Sequence, residues 1–416
     1  MSGPGVYVGI DVSRDSLCVS FLNEEARTVR PAASYTNDPN GWTALKTAIV
    51  AATTLAGYQA RVVCGMESTS NMHKGVEHAL RAESRRQLEV HVLNPMAVKH
   101  FARATLASAK TDRLDSHLIS LFLLRLQPTP VAETPEFFEE FREATRTRRR
   151  LVEERTREKN RVHKLLRQHF PGSRRVLGAN LSARLLIVLA RFPSPQQLLD
   201  CPVEDIAEIR YGRGRRVGMD FARRLHTVAA QAPRLKLATV TTILIEASAS
   251  RVLELTEQLA RFDSAIAEML EQLCPNQVLT SIPGVGPISA AAILAEVGDI
   301  RRFASKSAFV GYCGLYPTVW ESGEAKRRYR MTHKGNRMLK MTLLVASAAA
   351  RQYNPAISVY YERLRARDKS KKAAGGAIAR KLAEIVFTLL ARNEEWSKEK
   401  ATRGLQTAEA MLSHVA

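Results

Sequence analysis

Apolar residues open the chain in short runs separated by polar turns. Val6-Tyr7-Val8-Gly9-Ile10 reads as a buried strand, and Leu17-Cys18-Val19-Ser20-Phe21-Leu22 as a second. The polar Ser13-Arg14-Asp15 between them predicts a hairpin. Helical periodicity follows over 42–55, then a third strand over 61–66 and a helix near 74–81. Val90-His91-Val92-Leu93 reads as a short strand ended by Asn94-Pro95. Residues 112–126 form a predicted helix stopped by Gln127-Pro128. This alternation predicts an α/β domain over 1–128.

Pro128, Pro130 and Pro135 mark a boundary, after which the pattern becomes helical. Residues 136–170 read as one long basic helix. Residues 171–233 read as short helices with a loop at 211–216. Then Thr241, Ile245, Ser248, Val252, Leu255, Leu259, Phe262, Ile266, Met269 and Leu273 alternate spacings of four and three. Such a heptad seam predicts a coiled coil. Its partner is either 136–170 or the same helix in another copy; the second choice gives at least a dimer. The middle region is thus 136–274, and a mainly helical region follows over 275–395. That region has helices at 288–297, 338–351 and 377–392, then a polar tail at 396–416. The fold class is α/β plus α.

Charge narrows the partners. Lys plus Arg number 62 against 41 Asp plus Glu, a formal net of +21. That field favours a polyanion, meaning nucleic acid or an anionic membrane surface. No apolar run approaches the roughly 20 residues a spanning helix needs, so nucleic acid is the better reading. The N-terminus lacks a signal-peptide pattern. Five scattered cysteines without a CxxC suggest neither a zinc site nor a disulfide framework, and a reducing cytoplasm is expected.

Four acids stand at ends of predicted elements. Asp11 ends the first strand, and Glu67 ends the third. Asp112 and Asp115 are three apart at a helix start, on one helical face. Singly, Asp11 reads as a turn cap and Asp112 as an N-cap. Together they follow the ribonuclease H-like nuclease plan, in which carboxylates hold Mg²⁺ (or Mn²⁺) for phosphodiester chemistry.

The order and flanks of these acids resemble the DEDD-type insertion-sequence transposases, whose N-terminal domain is similar to the RuvC-type Holliday-junction resolvase. Lys110-Thr111-Asp112-Arg113-Leu114-Asp115-Ser116 resembles the family phrase KTD-x-x-DA, with Ser116 in place of the usual Ala. Further matches are Ile282-Pro283-Gly284-Val285-Gly286, Ala295-Glu296-Val297-Gly298-Asp299, Gly311-Tyr312-Cys313-Gly314-Leu315-Tyr316-Pro317, Glu321-Ser322-Gly323 and Lys334-Gly335-Asn336. The resemblance implies that Asp11, Glu67, Asp112 and Asp115 are the metal-binding catalytic acids. It also implies that Ser322 is the nucleophile joined covalently to a DNA strand, in a composite site drawn from different protomers. Homo-oligomers (dimers or dimers of dimers) and guidance by a structured bridge RNA are implied as well.

Several residues have a nucleic-acid reading beside a plainer one. Ile282–Gly286 before a helix reads as a helix-hairpin-helix in which Gly284 and Gly286 admit a DNA phosphate; the plain alternative is a tight turn. From Glu324 to Lys340 there are 7 basic residues against 1 acid. Lys326, Arg327, Arg328, Arg330, Lys334, Asn336 and Arg337 are candidate backbone contacts, or else a solvated loop. Between Arg142 and Arg175 there are 13 basic residues against 4 acids, suited to phosphates or to a solvated helix face. The leading expectation is a metal-dependent, serine-assisted transposase or recombinase. A RuvC-like endonuclease hydrolysing branched DNA and a non-catalytic nucleic-acid scaffold are the alternatives.

Overall fold

The computed structural model describes residues 5–56, 61–68, 71–83, 88–105, 111–129, 135–232, 239–274, 278–318, 330–332 and 334–399. Two compact units divide the chain, Met1–Glu133 and Thr134–Ala416.

The first unit is built on strands β1 (Gly5–Val12), β2 (Ser16–Leu22), β3 (Thr28–Thr36), β4 (Arg61–Glu67) and β5 (Leu88–Leu93). Its helices are α1 (Pro39–Ala56), α2 (Lys74–Arg81), α3 (Pro95–Ala104) and α4 (Asp112–Leu126). The sheet order is β3-β2-β1-β4-β5. β1–β2 and β2–β3 are antiparallel, while β1–β4 and β4–β5 are parallel. Strand alternation sends the two faces of β1 to different cores. Val6, Val8 and Ile10 pack with Leu45 and Ile49 of α1 and Leu80 of α2. Tyr7 packs on the other face with Val98 of α3 and Ile119, Phe122 and Leu123 of α4. Both faces are covered, so the run is apolar throughout rather than alternating.

The expected hairpin, central strands and helices are present, with two additions. β3 is an edge strand, mostly exposed or half-buried and interrupted by Pro31, which hides it from a hydrophobicity pattern. Asn94-Pro95 ends β5 as expected and also starts α3. Asn94 caps it, accepting from the Met96 N–H at 2.9 Å, and Pro95 takes the first helical position.

The second unit is almost wholly helical. Its longest helices are α5 (Glu136–His169) and, after five shorter ones, α11 (Thr239–Leu273). The shorter helices are α6 (Ser173–Leu177), α7 (Ala183–Arg191), α8 (Pro195–Asp200), α9 (Val203–Glu208) and α10 (Met219–Ala230). A small ladder of β6 (Arg210–Tyr211) and β7 (Arg215–Arg216) occupies the expected loop. The heptad seam is satisfied inside the chain. Phe141 of α5 packs with Ile266 of α11, and Val162 with Ile245. Arg251 Nη2 lies 2.7 Å from Glu154. Numbers rise along one helix as they fall along the other, so the pair is antiparallel.

One end of this pair carries α6–α10 in a common core. The other carries α12 (Pro287–Val297), α13 (Lys306–Tyr312), α14 (Arg337–Tyr353), α15 (Pro355–Ala366) and α16 (Lys371–Arg392). A second short ladder pairs β8 (Pro317–Thr318) with β9 (Arg330–Met331). The mixed sheet with a largely helical remainder fits the ribonuclease H-like expectation for the first unit. Among the described residues, no helix is long and apolar enough to cross a membrane.

Candidate active site and basic surface

Asp11 and Glu67 come from neighbouring parallel strands. The register pairs Gly9 with Gly65 and Ile10 with Met66; one further step sets Asp11 beside Glu67 at the carboxyl ends of β1 and β4. Both are half-buried. Asp11 shares strand parity with Tyr7 and Gly9, so it belongs to the face that α4 covers.

Close approach of α4 depends on two small residues. A Cβ on Gly9 would overlap the Ser116 carbonyl oxygen, and one on Gly65 would come within 2.7 Å of Leu123. The Gly9 N–H donates to Ser120 Oγ at 2.9 Å. Ser120 Oγ, with one proton to donate, is 3.1 Å from Ser116 O and 3.2 Å from Ser20 O. Ser116, the departure from the family phrase, is fully buried, with its Oγ 3.7 Å from Cys18 Sγ. Cys18 is the cross-strand partner of Asp11. The start of α4 therefore lies at the same end of the sheet as Asp11.

Asp112 and Asp115 occupy the first turn of α4, Asp112 exposed and Asp115 half-buried. Thr111 caps this helix, its Oγ1 accepting from the Leu114 N–H at 3.3 Å. The cap role open to Asp112 is thus filled by its neighbour. Similarly, the turn after β1 is closed by the Ser13 and Ser16 hydroxyls, 2.8 Å apart. A helix N-terminus favours nearby carboxylates. All four acids share one end of the unit, but among the described residues no three His, Cys, Asp or Glu side chains converge to hold a metal ion. The donor chemistry, all carboxylate oxygen, suits a hard divalent ion. Mg²⁺ characteristically takes one or two carboxylates and completes its shell with water and substrate phosphate.

In the second unit, Ser322, Lys326, Arg327 and Arg328 lie outside the described residues, as does the side chain of Arg330. Lys334 and Arg337 are exposed. Asn336 has a different position from the one expected. Its Oδ1 caps α14, accepting from the Leu339 N–H at 2.9 Å. Its Nδ2 donates to Glu296 Oε2 at 2.7 Å and lies 3.1 Å from the Tyr312 hydroxyl. Both ends of the amide are engaged within the protein.

Glu296, within the phrase Ala295–Asp299, is the centre of this network. It is 1% exposed on α12. Arg146 of α5 grips it through Nε at 2.6 Å and Nη2 at 2.9 Å, and this pairing raises the Arg146 pKa despite partial burial. The signal available in sequence was an acid inside the apolar run of α12. Gly284 also serves packing. Its φ is +94°, and a Cβ there would overlap the backbone of Ala350 on α14. Residues 278–285 form turns, with the Val285 N–H donating to Ile282 O at 2.9 Å. Gly286 is the N-cap of α12 and has open space around its Cα.

Comparison with known proteins places these observations in a family. A family model described as a transposase, of the DEDD and IS110 type, matches residues 8–171. A second, the transposase IS116/IS110/IS902 family, matches 276–362. The chain is 28% identical to an uncharacterised 43.6 kDa protein of insertion element IS110 from Streptomyces coelicolor, covering 77% of this chain and 80% of that one. It is 24% identical to the 42 kDa protein of IS900 from Mycobacterium paratuberculosis, over 92% and 95% of the two chains. It is 25% identical to a mini-circle putative transposase for IS117 from Streptomyces coelicolor, over 80% and 82%. With the two matches lying in order at both ends of the chain, the protein belongs to the IS110-type family of insertion-sequence transposases.

Proposed function

We propose that this transposase exchanges DNA strands through the carboxylates Asp11, Glu67, Asp112 and Asp115 and the hydroxyl of Ser322. The observation that carries the reading is the common location of the four acids, two at adjacent strand ends and two on the first turn of α4. Mg²⁺ or Mn²⁺, when bound there, would offset charge on the scissile phosphate and favour the ionised attacking oxygen.

Ser322 Oγ then forms a bond to phosphorus as one strand P–O bond breaks. The serine proton leaves to solvent, and the departing DNA oxygen takes one up. The phosphoserine link conserves the ester, so a hydroxyl of the recipient strand can displace serine and complete the exchange without hydrolysis. Lys334 and Arg337, which are exposed and cationic, would bind phosphate. We assign the protein to the cytoplasm, acting as a homo-oligomer with a structured guide RNA as partner. What supports the RNA is the positive field of the chain and the family resemblance.

The test is a denaturing gel of purified protein incubated with labelled element ends and Mg²⁺. Wild type should yield a protease-sensitive covalent adduct, and Ser322→Ala none. An adduct formed by Ser322→Ala removes the serine from this reading. Free cleaved ends with no adduct in wild type would favour hydrolysis instead.

A further inference from the structure

The second unit holds a cavity of about 320 Å³ that the motifs above do not use. Asn160, His163 and Arg167 reach it from one face of α5, at helical spacings of three and four. Arg174 enters from α6, and Leu177 and Leu181 supply an apolar wall.

Three features bear on what it holds. Its lining includes no carboxylate. Among the described residues, neither Arg167 nor Arg174 pairs with one; Arg167 Nε only donates to the backbone oxygen of His163 at 3.3 Å. The local field is positive. Burial first, and then Arg167, Arg174 and Lys159, push the His163 pKa below its ordinary value. The volume lies at the small end of ligand cavities, roughly 300–1,000 Å³, which admits one small planar group and excludes a duplex.

Unpaired cations beside an apolar wall match the chemistry of a nucleotide, whose base is apolar on its faces and whose phosphates are anionic. We propose that this cavity binds a single unpaired nucleotide of a nucleic-acid strand. The base enters against Leu177 and Leu181, Arg167 and Arg174 hold the flanking phosphates, and Asn160 meets the base edge. The assignment is independent of the role of Ser322.

The full chain is titrated with a fluorescein-labelled mixed-sequence single strand and with the matching duplex, read by anisotropy over a range of salt. Arg167→Ala/Arg174→Ala should weaken single-strand binding about tenfold or more and leave duplex binding within about threefold. The double variant should also lower the salt slope by about 1.4, two phosphate contacts at roughly 0.7 each. Leu181→Trp keeps every charge and fills the cavity; it should lose affinity for the single strand alone, by about tenfold. Equal losses for strand and duplex in the arginine variant would reduce the site to general basic surface and overturn the proposal. Unchanged single-strand binding by Leu181→Trp, with its folded circular dichroism retained, would overturn it as well. So would competition by adenosine monophosphate at the same concentration as the strand, which would make the site one for free nucleotides.

Discussion

Asp112 is the first residue of α4, and Thr111 beside it performs the capping that a helix start requires. An exposed acid relieved of that structural task is free for a ligand. Asp112→Asn with Asp115→Asn should therefore lower strand exchange by about 10²-fold or more while leaving the denaturant midpoint near that of wild type. A matching fall in stability would assign the pair to folding. Gly9 behaves in the opposite sense. Gly9→Ala drives a methyl group into the Ser116 carbonyl, and overpacking of this kind costs about 1–3 kcal/mol, measurable by urea unfolding. Cys64 and Cys313 give a pH test. Burial pushes each thiol from 9.0 up to about 12. A raised acid pKa contributes stability that is complete below pH 9 and is lost as pH rises towards 12. Neither thiol should react with iodoacetamide at pH 8 until the protein unfolds.

Among elements, α5 and α11 show how far a periodic pattern reaches. The heptad positions Ile245, Val252, Leu255 and Ile266 are each buried, as the seam required. Periodicity defines a stripe but not its partner, and the antiparallel α5 fills it. The seam therefore no longer argues for a dimer. The pair is also joined by charge, Arg251 of α11 to Glu154 of α5, and α5 is tied to α12 as well, where Arg146 holds Glu296. The two partners differ in exposure, 43% for the Arg146 side chain and 1% for Glu296. Arg146→Met leaves a buried carboxylate with Asn336 as its remaining side-chain donor and should cost about 3–5 kcal/mol. Glu296→Gln leaves an arginine that can turn towards water and should cost less. Equal costs in chemical denaturation would contradict this account. β3 and α3 mark the other limit of local reading. An exposed edge strand has no apolar signature, and a proline that stops one element can begin the next.

For the molecule as a whole, a net charge of +21 makes binding to nucleic acid an electrostatic event. Affinity for DNA should fall linearly in log–log form as salt rises, with a slope near 0.9 per phosphate contacted. Chelation tests the metal separately. EDTA should stop strand exchange and leave DNA binding by the full chain largely intact, and added Mg²⁺ or Mn²⁺ should restore exchange. Loss of DNA binding on chelation would instead give the ion a structural role.

By itself the sequence determined the strands β1, β2, β4 and β5, the long helices and the family, because these rest on periodicity and ordered motifs. It also marked the four acids by their positions at element ends. Only the tertiary structure decided that Asp11 and Glu67 stand on neighbouring strands and that α4 is seated on Gly9 and Gly65. The tertiary structure also turned Asn336 inward to Glu296. Those outcomes depend on register and on contacts between residues far apart in the chain, such as Gly9 with Ser120 and Arg146 with Glu296, which no local pattern encodes.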